Sequence, residues 1–153
     1  MQISKSVSET HKIANNLLNN LNNANLLCLY GELGAGKTTF VQGLAKGLGI
    51  KKRVISPTFV MMREYNIPKF SIFIRQPADQ FSIFYHIDLY RAESEKDIKS
   101  IDLKELWFDP KNLVVIEWAE KIKPVLPKKR IDVKFSYASQ NKREIEIIYR
   151  YQR

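Results

Sequence analysis

The residues with the clearest chemical meaning are residues 31–38, which read GELGAGKT. They fit the pattern G-x-x-x-x-G-K-[ST] of a phosphate-binding loop. Gly34 and Gly36 lack a Cβ, so successive backbone N–H groups can converge on phosphate oxygens. A lysine at position 37 can reach the β- and γ-phosphates, and the Thr38 hydroxyl can ligate Mg²⁺. The spacing predicts a site for a nucleoside triphosphate, formed by Gly34, Ala35, Gly36, Lys37, Thr38 and Thr39.

The segments on either side of this loop have the periodicities of a strand and a helix. Residues 25–30 form a short apolar run of strand length. After the loop, apolar residues recur at helical spacing up to Gly49, a typical residue beyond a helix end: Phe40, Val41, Leu44, Ala45 and Leu48. A helix that begins near Lys37 directs the positive end of its dipole at the phosphates. This order of strand, loop and helix is the context in which the pattern binds phosphate.

Two carboxylates follow apolar strands and are candidates to complete a magnesium site. Asp88 follows residues 85–87, and Glu117 follows the longer apolar run 113–116. A phosphate-binding loop requires such a partner acid, which holds Mg²⁺ directly or through water. Glu117 fits this pattern better and can also orient an attacking water molecule. The predicted magnesium ligands are Thr38, Glu117 and Asp88, and the predicted catalytic residues are Lys37 and Glu117.

Size and cysteine content limit the class of protein. A chain of 153 residues predicts a single domain over 1–153 that buries its core without metals or disulfides. The one cysteine, Cys28, lies in the apolar strand, which predicts a buried thiol in a reducing compartment. No N-terminal segment resembles a signal peptide, and no apolar run reaches membrane-spanning length. We therefore expect a cytoplasmic protein with no membrane partner.

The formal charge of +9 raises the question of a nucleic-acid partner. Basic residues cluster at 51–53, 121–130 and 142–153. Such clusters attract nucleic acids or acidic proteins, but they also commonly form a solvated face. No RNA-binding module signature accompanies them, so direct RNA binding stays open on charge alone.

The remaining patterns predict an α/β protein: a P-loop NTPase-like mixed, mainly parallel sheet flanked by helices, with antiparallel C-terminal strands. Helices are expected after a cap at Ser8, over 94–108 in interrupted form, and over 119–126 up to Pro127. Further strands are expected at 59–65, 131–135 and 144–148, the last two as edge or half-exposed strands around a turn at 140–141. The repeat of Phe-Ser-Ile-Phe at 70–73 and 81–84 predicts a hairpin within 66–84.

Four segments occur in an order that resembles the TsaE (YjeE) family: GELGAGKTTF, SPTF at 56–59, HIDLYR at 86–91 and IEW at 116–118. The resemblance spans nearly the whole chain. It implies a small P-loop ATPase, weak without partners, that is required for threonylcarbamoyladenosine modification of tRNA beside the anticodon. It also implies partnership with TsaB and TsaD, with tRNA contacted through that assembly and the transfer itself made elsewhere.

The resemblance carries expectations for single residues. It implies that Thr38 and Glu117 bind Mg²⁺, that Asp88 lies near them, and that Thr58 faces the γ-phosphate of ATP. His86 is expected to be structural, whereas Trp118 reports on nucleotide state or is a core residue. The segment 65–85 is longer than this family usually has, which implies an inserted hairpin over 66–84, and no function is transferred to it. Where the family commonly has a glycine, this chain has Ile101-Asp102, and an aspartate tolerates the left-handed conformation of a turn.

Two other functions remain open. One is a small P-loop kinase that phosphorylates a small molecule or nucleotide. Such a kinase needs an acceptor pocket and a lid with arginines, for which Arg63 and Arg75 are the candidates. The other is a nucleotide-gated binding module whose hydrolysis is incidental.

Overall fold

The computed structural model describes residues 1–69 and 78–150. Seven strands form one sheet in the order β1-β7-β6-β2-β5-β4-β3. The strands are β1 Gln2–Ser4, β2 Leu26–Tyr30, β3 Met62–Asn66, β4 Ile83–Asp88, β5 Asn112–Glu117, β6 Arg130–Ser139 and β7 Lys142–Arg150. The helices are α1 Val7–Leu18, α2 Lys37–Gly47, α3 Glu95–Lys99 and α4 Leu103–Phe108, with 3-10 segments at Ala78–Gln80 and Ala119–Val125.

The centre of the sheet is parallel and its margins are antiparallel. Strand β2 runs parallel to β5 and β6, and β4 runs parallel to β5. The pairs β3–β4, β6–β7 and β1–β7 are antiparallel. Every residue of β5 is buried, as expected for a parallel strand covered on both faces. The predicted α/β class and its mixed, mainly parallel sheet are confirmed.

Alternation along the strands decides which residues face the phosphate-binding loop. Phe84 and Val115 belong to the apolar cluster that α1 and α2 cover. Tyr85 and Val114 belong to a second cluster, on the face covered by α3, α4 and Ala119–Val125. Because side chains alternate along a strand, the residues at 86 and 117 share the first face. These two polar residues therefore lie on the side of the sheet where α2 begins.

The helix caps differ from the prediction in two places. Ser6, not Ser8, caps α1, and its Oγ accepts a hydrogen bond of 3.1 Å from the Glu9 N–H. The interrupted helix over 94–108 is two helices, α3 and α4. Asp102 has φ of −75°, so it does not adopt the left-handed conformation that an aspartate tolerates. Its carboxylate instead caps α4 by accepting from the Glu105 N–H, which stabilises a right-handed start to that helix.

The C-terminal strands are half-exposed, as predicted, but neither is an edge of the sheet. Strand β6 lies between β2 and β7, and β7 lies between β6 and β1. The edge strands are β1 and β3, and β1 at three residues is too short to show a hydrophobic period. The predicted turn at 140–141 is confirmed.

Two other segments differ from the prediction. The strand expected from 59 begins at Met62, because a turn bonds the Val60 N–H to the Pro57 carbonyl and Met61 has φ of +60°. The segment Ala119–Val125 is 3-10 helical with Pro124 inside it, rather than a helix that Pro127 ends.

The predicted hairpin over 66–84 falls partly outside the described residues, because the first copy of the repeat and Arg75 lie within 70–77. Of the second copy, Ile83 and Phe84 belong to β4 and pair with Asn66 and Tyr65. Within the described residues, no helix is long and apolar enough to cross a membrane.

Candidate functional site

The loop between β2 and α2 has the backbone expected of a phosphate-binding loop. Gly34 and Gly36 have φ of +77° and +103°, in the left-handed region that favours glycine. Gly36 is the N-cap of α2 and provides no side-chain hydrogen bond to the first turn. The N–H groups at the start of α2 are therefore open to an anion, and the helix dipole favours one there.

Lys37 lies folded back onto this loop. Its Nζ donates to the carbonyl oxygens of Gly31 at 2.5 Å and Glu32 at 2.9 Å, and it sits 4.1 Å from the centre of the Trp118 ring. Burial lowers the pKa of Lys37, and the charge of Glu117 opposes this shift. No described carboxylate forms an ion pair with Nζ. The ammonium group is thus held by neutral carbonyls, which a phosphate can replace.

Thr38 and Glu117 are in direct contact. The Thr38 hydroxyl lies 2.9 Å from Glu117 Oε1 and 3.1 Å from Oε2. Magnesium binds oxygen ligands in an octahedron at about 2.0–2.1 Å, which places neighbouring oxygens about 2.9 Å apart. A hydroxyl and a carboxylate at this separation fit two adjacent positions around Mg²⁺. No cluster of three or more metal-ligating acids, histidines or cysteines occurs in the described part of the chain.

Asp88 organises the Ser-Pro-Thr loop. Its Oδ2 accepts hydrogen bonds from Ser56 Oγ at 2.6 Å and from Thr58 Oγ1 at 2.9 Å. Its Oδ1 accepts from the Tyr90 N–H at 2.9 Å. Asp88 is also the register partner of Glu117 across β4 and β5. The structure thus brings the two predicted acids together, with both oxygens of Asp88 engaged by protein donors.

A cavity of about 320 Å³ connects these groups. All the predicted site residues line it except Ala35, which is buried beneath the loop. Residues that line it beyond that prediction are Leu33, Ser56, Tyr90 and Trp118. A second cavity of about 400 Å³ shares Gly34, Gly36 and Thr39 with the first. Its remaining lining includes Thr10 and Arg143, which sequence reasoning missed because they are distant from the loop along the chain.

The paired ends of β6 and β7 support the phosphate-binding loop. The Tyr137 hydroxyl donates to the Leu33 carbonyl at 3.0 Å, and the Arg143 guanidinium lies 4.2 Å above the Tyr137 ring. A Cβ added at Gly34 would come within 2.9 Å of that hydroxyl, so only glycine allows this approach. No local sequence signal identifies this contact, because it depends on how far β6 extends past β2.

His86 lies beneath the two acids. It is fully buried, and its Nε2 is 2.8 Å from Glu117 Oε1. The histidine of the HIDLYR segment is therefore in direct contact with a predicted magnesium ligand.

Comparison with known proteins gives this site a family. The family model described as "Threonylcarbamoyl adenosine biosynthesis protein TsaE" matches residues 4–145. The chain belongs to the TsaE family. TsaE of Bacillus subtilis is 38% identical over 120 residues, which are 78% of this chain and 66% of that protein, just under two thirds. TsaE of Rickettsia felis is 35% identical over 149 residues, which are 97% of this chain and 79% of that protein.

The fold of a solved relative agrees with this assignment. The crystal structure of YdiB from Bacillus subtilis superposes with a TM-score of 0.72 at 29% sequence identity, and the match covers 98% of this chain and 84% of that one. The resemblance to the TsaE family stated from sequence motifs is thus confirmed.

The kinase alternative requires lid arginines at the cavity. The described residues that line it include no arginine. Arg63 lies on β3 at the edge of the sheet, and Arg75 is outside the described residues.

Proposed function

We propose that this chain binds Mg-ATP and hydrolyses it as an accessory protein of tRNA threonylcarbamoyladenosine biosynthesis. The contact between the Thr38 hydroxyl and the Glu117 carboxylate carries the proposal, because it pairs two magnesium-type ligands at the start of α2. The pathway comes from the names of the related TsaE proteins.

The loop and the two cavities support a mode of ATP binding. The triphosphate lies along the loop, where the N–H groups around Gly34 and Gly36 surround its oxygens. Lys37 exchanges the carbonyls of Gly31 and Glu32 for β- and γ-phosphate oxygens. The ribose and base extend into the second cavity, which continues from the first past Thr39.

Hydrolysis then depends on the positioning of the reacting groups more than on covalent catalysis by the protein. Thr38 and Glu117 hold the magnesium ion, which when bound neutralises charge on the phosphate oxygens. Glu117 also accepts a hydrogen bond from the attacking water and aligns it with the γ-phosphate. Asp88 keeps Thr58 and Ser56 at the cavity wall, so that a hydroxyl can contact the γ-phosphate.

The rim of the site supports an assembly with TsaB and TsaD. Three exposed apolar side chains belong to the segments that line the cavity or directly follow them: Leu33, Phe59 and Val60, at 67%, 83% and 59% exposure. Leu33 neighbours the loop glycines, and Phe59 follows Thr58. A partner that covers this rim can respond to the nucleotide, because the rim belongs to the phosphate-binding segments. We propose that tRNA is reached through this assembly.

The test is phosphate release from Mg-ATP by the purified protein, alone and with TsaB and TsaD. We expect release to rise on the order of 10-fold or more with both partners, and Lys37→Ala to abolish it because this cation stabilises the transferred phosphoryl group. Circular dichroism should show an intact fold in Lys37→Ala. The matched control is Lys46→Ala, which removes an exposed lysine from the same helix.

Two outcomes would contradict the proposal. Normal release by Lys37→Ala would remove the loop from the reaction. Transfer of the phosphoryl group to a small-molecule acceptor rather than to water would favour the kinase.

A further inference from the structure

His86 is an unusual residue to find inside this sheet. It is 0% exposed, and within the described residues its Nδ1 has no hydrogen-bond partner. An ionised carboxylate carries no hydrogen, so the contact of 2.8 Å to Glu117 Oε1 is donated by the histidine Nε2–H. The imidazole ring therefore has a hydrogen-bond partner at Nε2 and none at Nδ1 among the described residues.

Fold stability does not account for this arrangement. A buried polar atom without a partner destabilises a protein by roughly 1–3 kcal/mol. An apolar side chain of similar size at position 86 would avoid that loss, and the neighbours Phe84 and Ile87 on the same strand are apolar and fully buried. The benefit of a histidine lies in its one polar contact, which is to Glu117.

The contact holds the carboxylate from the buried side of the site, where His86 lies. Glu117 Oε1 accepts from His86 Nε2 and from Thr38 Oγ1. Thr38 is itself a proposed ligand, so its hydroxyl would serve the metal when one is bound. His86 is then the donor from the protein interior that keeps the carboxylate oriented. Groups that hydrogen-bond to a metal ligand typically change metal affinity by about 10–100-fold when removed.

We propose that His86 is a positioning residue that orients Glu117 for magnesium, retained at the expense of fold stability. This inference rests on the proposed function, since it requires a magnesium–nucleotide complex at Thr38 and Glu117.

The experiment compares His86→Leu with His86→Gln. A fluorescent ADP analogue reports nucleotide binding while magnesium is titrated, and binding is also measured in EDTA. We expect His86→Leu to raise the half-saturating magnesium concentration about 10-fold or more. Affinity in EDTA should stay near the wild-type value. His86→Gln should recover most of the loss, because its side-chain amide can donate to the same oxygen.

Thermal unfolding of the apoprotein separates positioning from packing. His86→Leu should melt at or above the wild-type temperature, because the unpartnered nitrogen is gone. The matched control is Phe84→Leu, which alters a fully buried side chain on the same face of β4 without contact to Glu117. It should lower the melting temperature and leave the magnesium dependence unchanged.

Two results would overturn the inference. One is a wild-type magnesium dependence in His86→Leu. The other is that His86→Leu lowers the melting temperature and weakens nucleotide binding in EDTA, and that His86→Gln recovers neither. That result would indicate that His86 has a packing role. A wild-type protein that binds no nucleotide at any magnesium concentration would instead refute the proposed function, and this outcome is visible before any variant is made.

Discussion

Two buried carboxylates in this sheet are about equally inaccessible to water but accept hydrogen bonds from different kinds of donor. Glu117 and Asp132 are 2% and 3% exposed. Asp132 accepts from Arg130 Nε at 2.8 Å, from Arg150 Nε at 2.9 Å and from the Tyr30 hydroxyl at 3.2 Å. Glu117 accepts from a threonine hydroxyl and a histidine, and no described lysine or arginine forms an ion pair with it.

The difference lies in the charge of the donors. Two guanidinium groups compensate the negative charge of Asp132, which leaves no reason for a further cation to bind there. Arg130 and Arg150 are cross-strand partners, so this network joins β6 to β7. Glu117 has no lysine or arginine ion-pair partner among the described residues, and a buried carboxylate is stabilised by a cationic partner. We infer that the charge of the hydrogen-bond donors, more than the degree of burial, distinguishes a structural carboxylate from one that can bind a metal.

The largest effect expected from this comparison is on hydrolysis. Replacing Glu117 by alanine should lower kcat on the order of 100-fold, as the loss of a group that acts on the transition state does. Affinity for nucleotide in EDTA should change little, because the carboxylate is proposed to act through magnesium. Single-turnover hydrolysis and nucleotide titration measure the two quantities. Equal losses in both would make Glu117 a purely structural acid.

The second expected effect is on stability. Replacing Asp132 by asparagine should lower the free energy of unfolding by about 2 kcal/mol, which is less than a fully buried ion pair would give because Arg150 is half exposed. Hydrolysis should be unchanged at temperatures where the variant is folded. Urea unfolding measures the stability change.

The control for this variant is Glu146→Gln, which removes an exposed acid at 4.0 Å from Lys134 on the same strand pair. Such surface pairs contribute about 0–1 kcal/mol. If Asp132→Asn destabilised no more than Glu146→Gln, the buried network would not hold β6 to β7.

The centre of the site could be predicted because the residues that form it belong to short, contiguous sequence patterns. The glycine loop with Lys37 and Thr38 is contiguous, and Asp88 and Glu117 each end an apolar run. In a parallel sheet, strands that end in acids bring those acids to the same edge, so their proximity follows once the strands are recognised. The confirmed α/β class rests on the same apolar runs. The roles of these residues in binding and catalysis stay predictions.

The contacts that sequence reasoning missed depend on register between distant strands. Tyr30 and Asp132 are 102 positions apart, and Tyr137 and Leu33 are 104 positions apart. Alternation places His86 and Asp88 on one face of β4, but only the pairing of β4 with β5 shows that the histidine contacts Glu117. An aspartate such as Asp102 can either tolerate a left-handed turn or cap a helix, and the sequence alone does not distinguish the two. In the structure its carboxylate caps α4.

The smallest expected effect concerns Cys28, which pairs in register with Asp132 across β2 and β6. Burial raises the pKa of the Cys28 thiol, the charge of Asp132 raises it further, and Arg130 opposes this. The thiol therefore stays protonated at about pH 8.5, where an exposed cysteine is partly thiolate and reactive. Iodoacetamide should label the folded protein far more slowly than the urea-unfolded chain, as mass spectrometry can follow.

The labelling rate also tests the comparison between the two acids. Asp132→Asn should speed it, because a weaker network makes opening of the sheet more frequent. Glu117→Ala should leave it unchanged, since the side-chain hydrogen bonds of Glu117 go to Thr38 and His86 and do not join β2 to β6. If the native wild-type protein were labelled as fast as the unfolded chain, the region around Asp132 would be open to solvent. Arg130 and Arg150 would then form a solvent-exposed ion pair with Asp132. The comparison with Glu117 would no longer be one between two buried carboxylates.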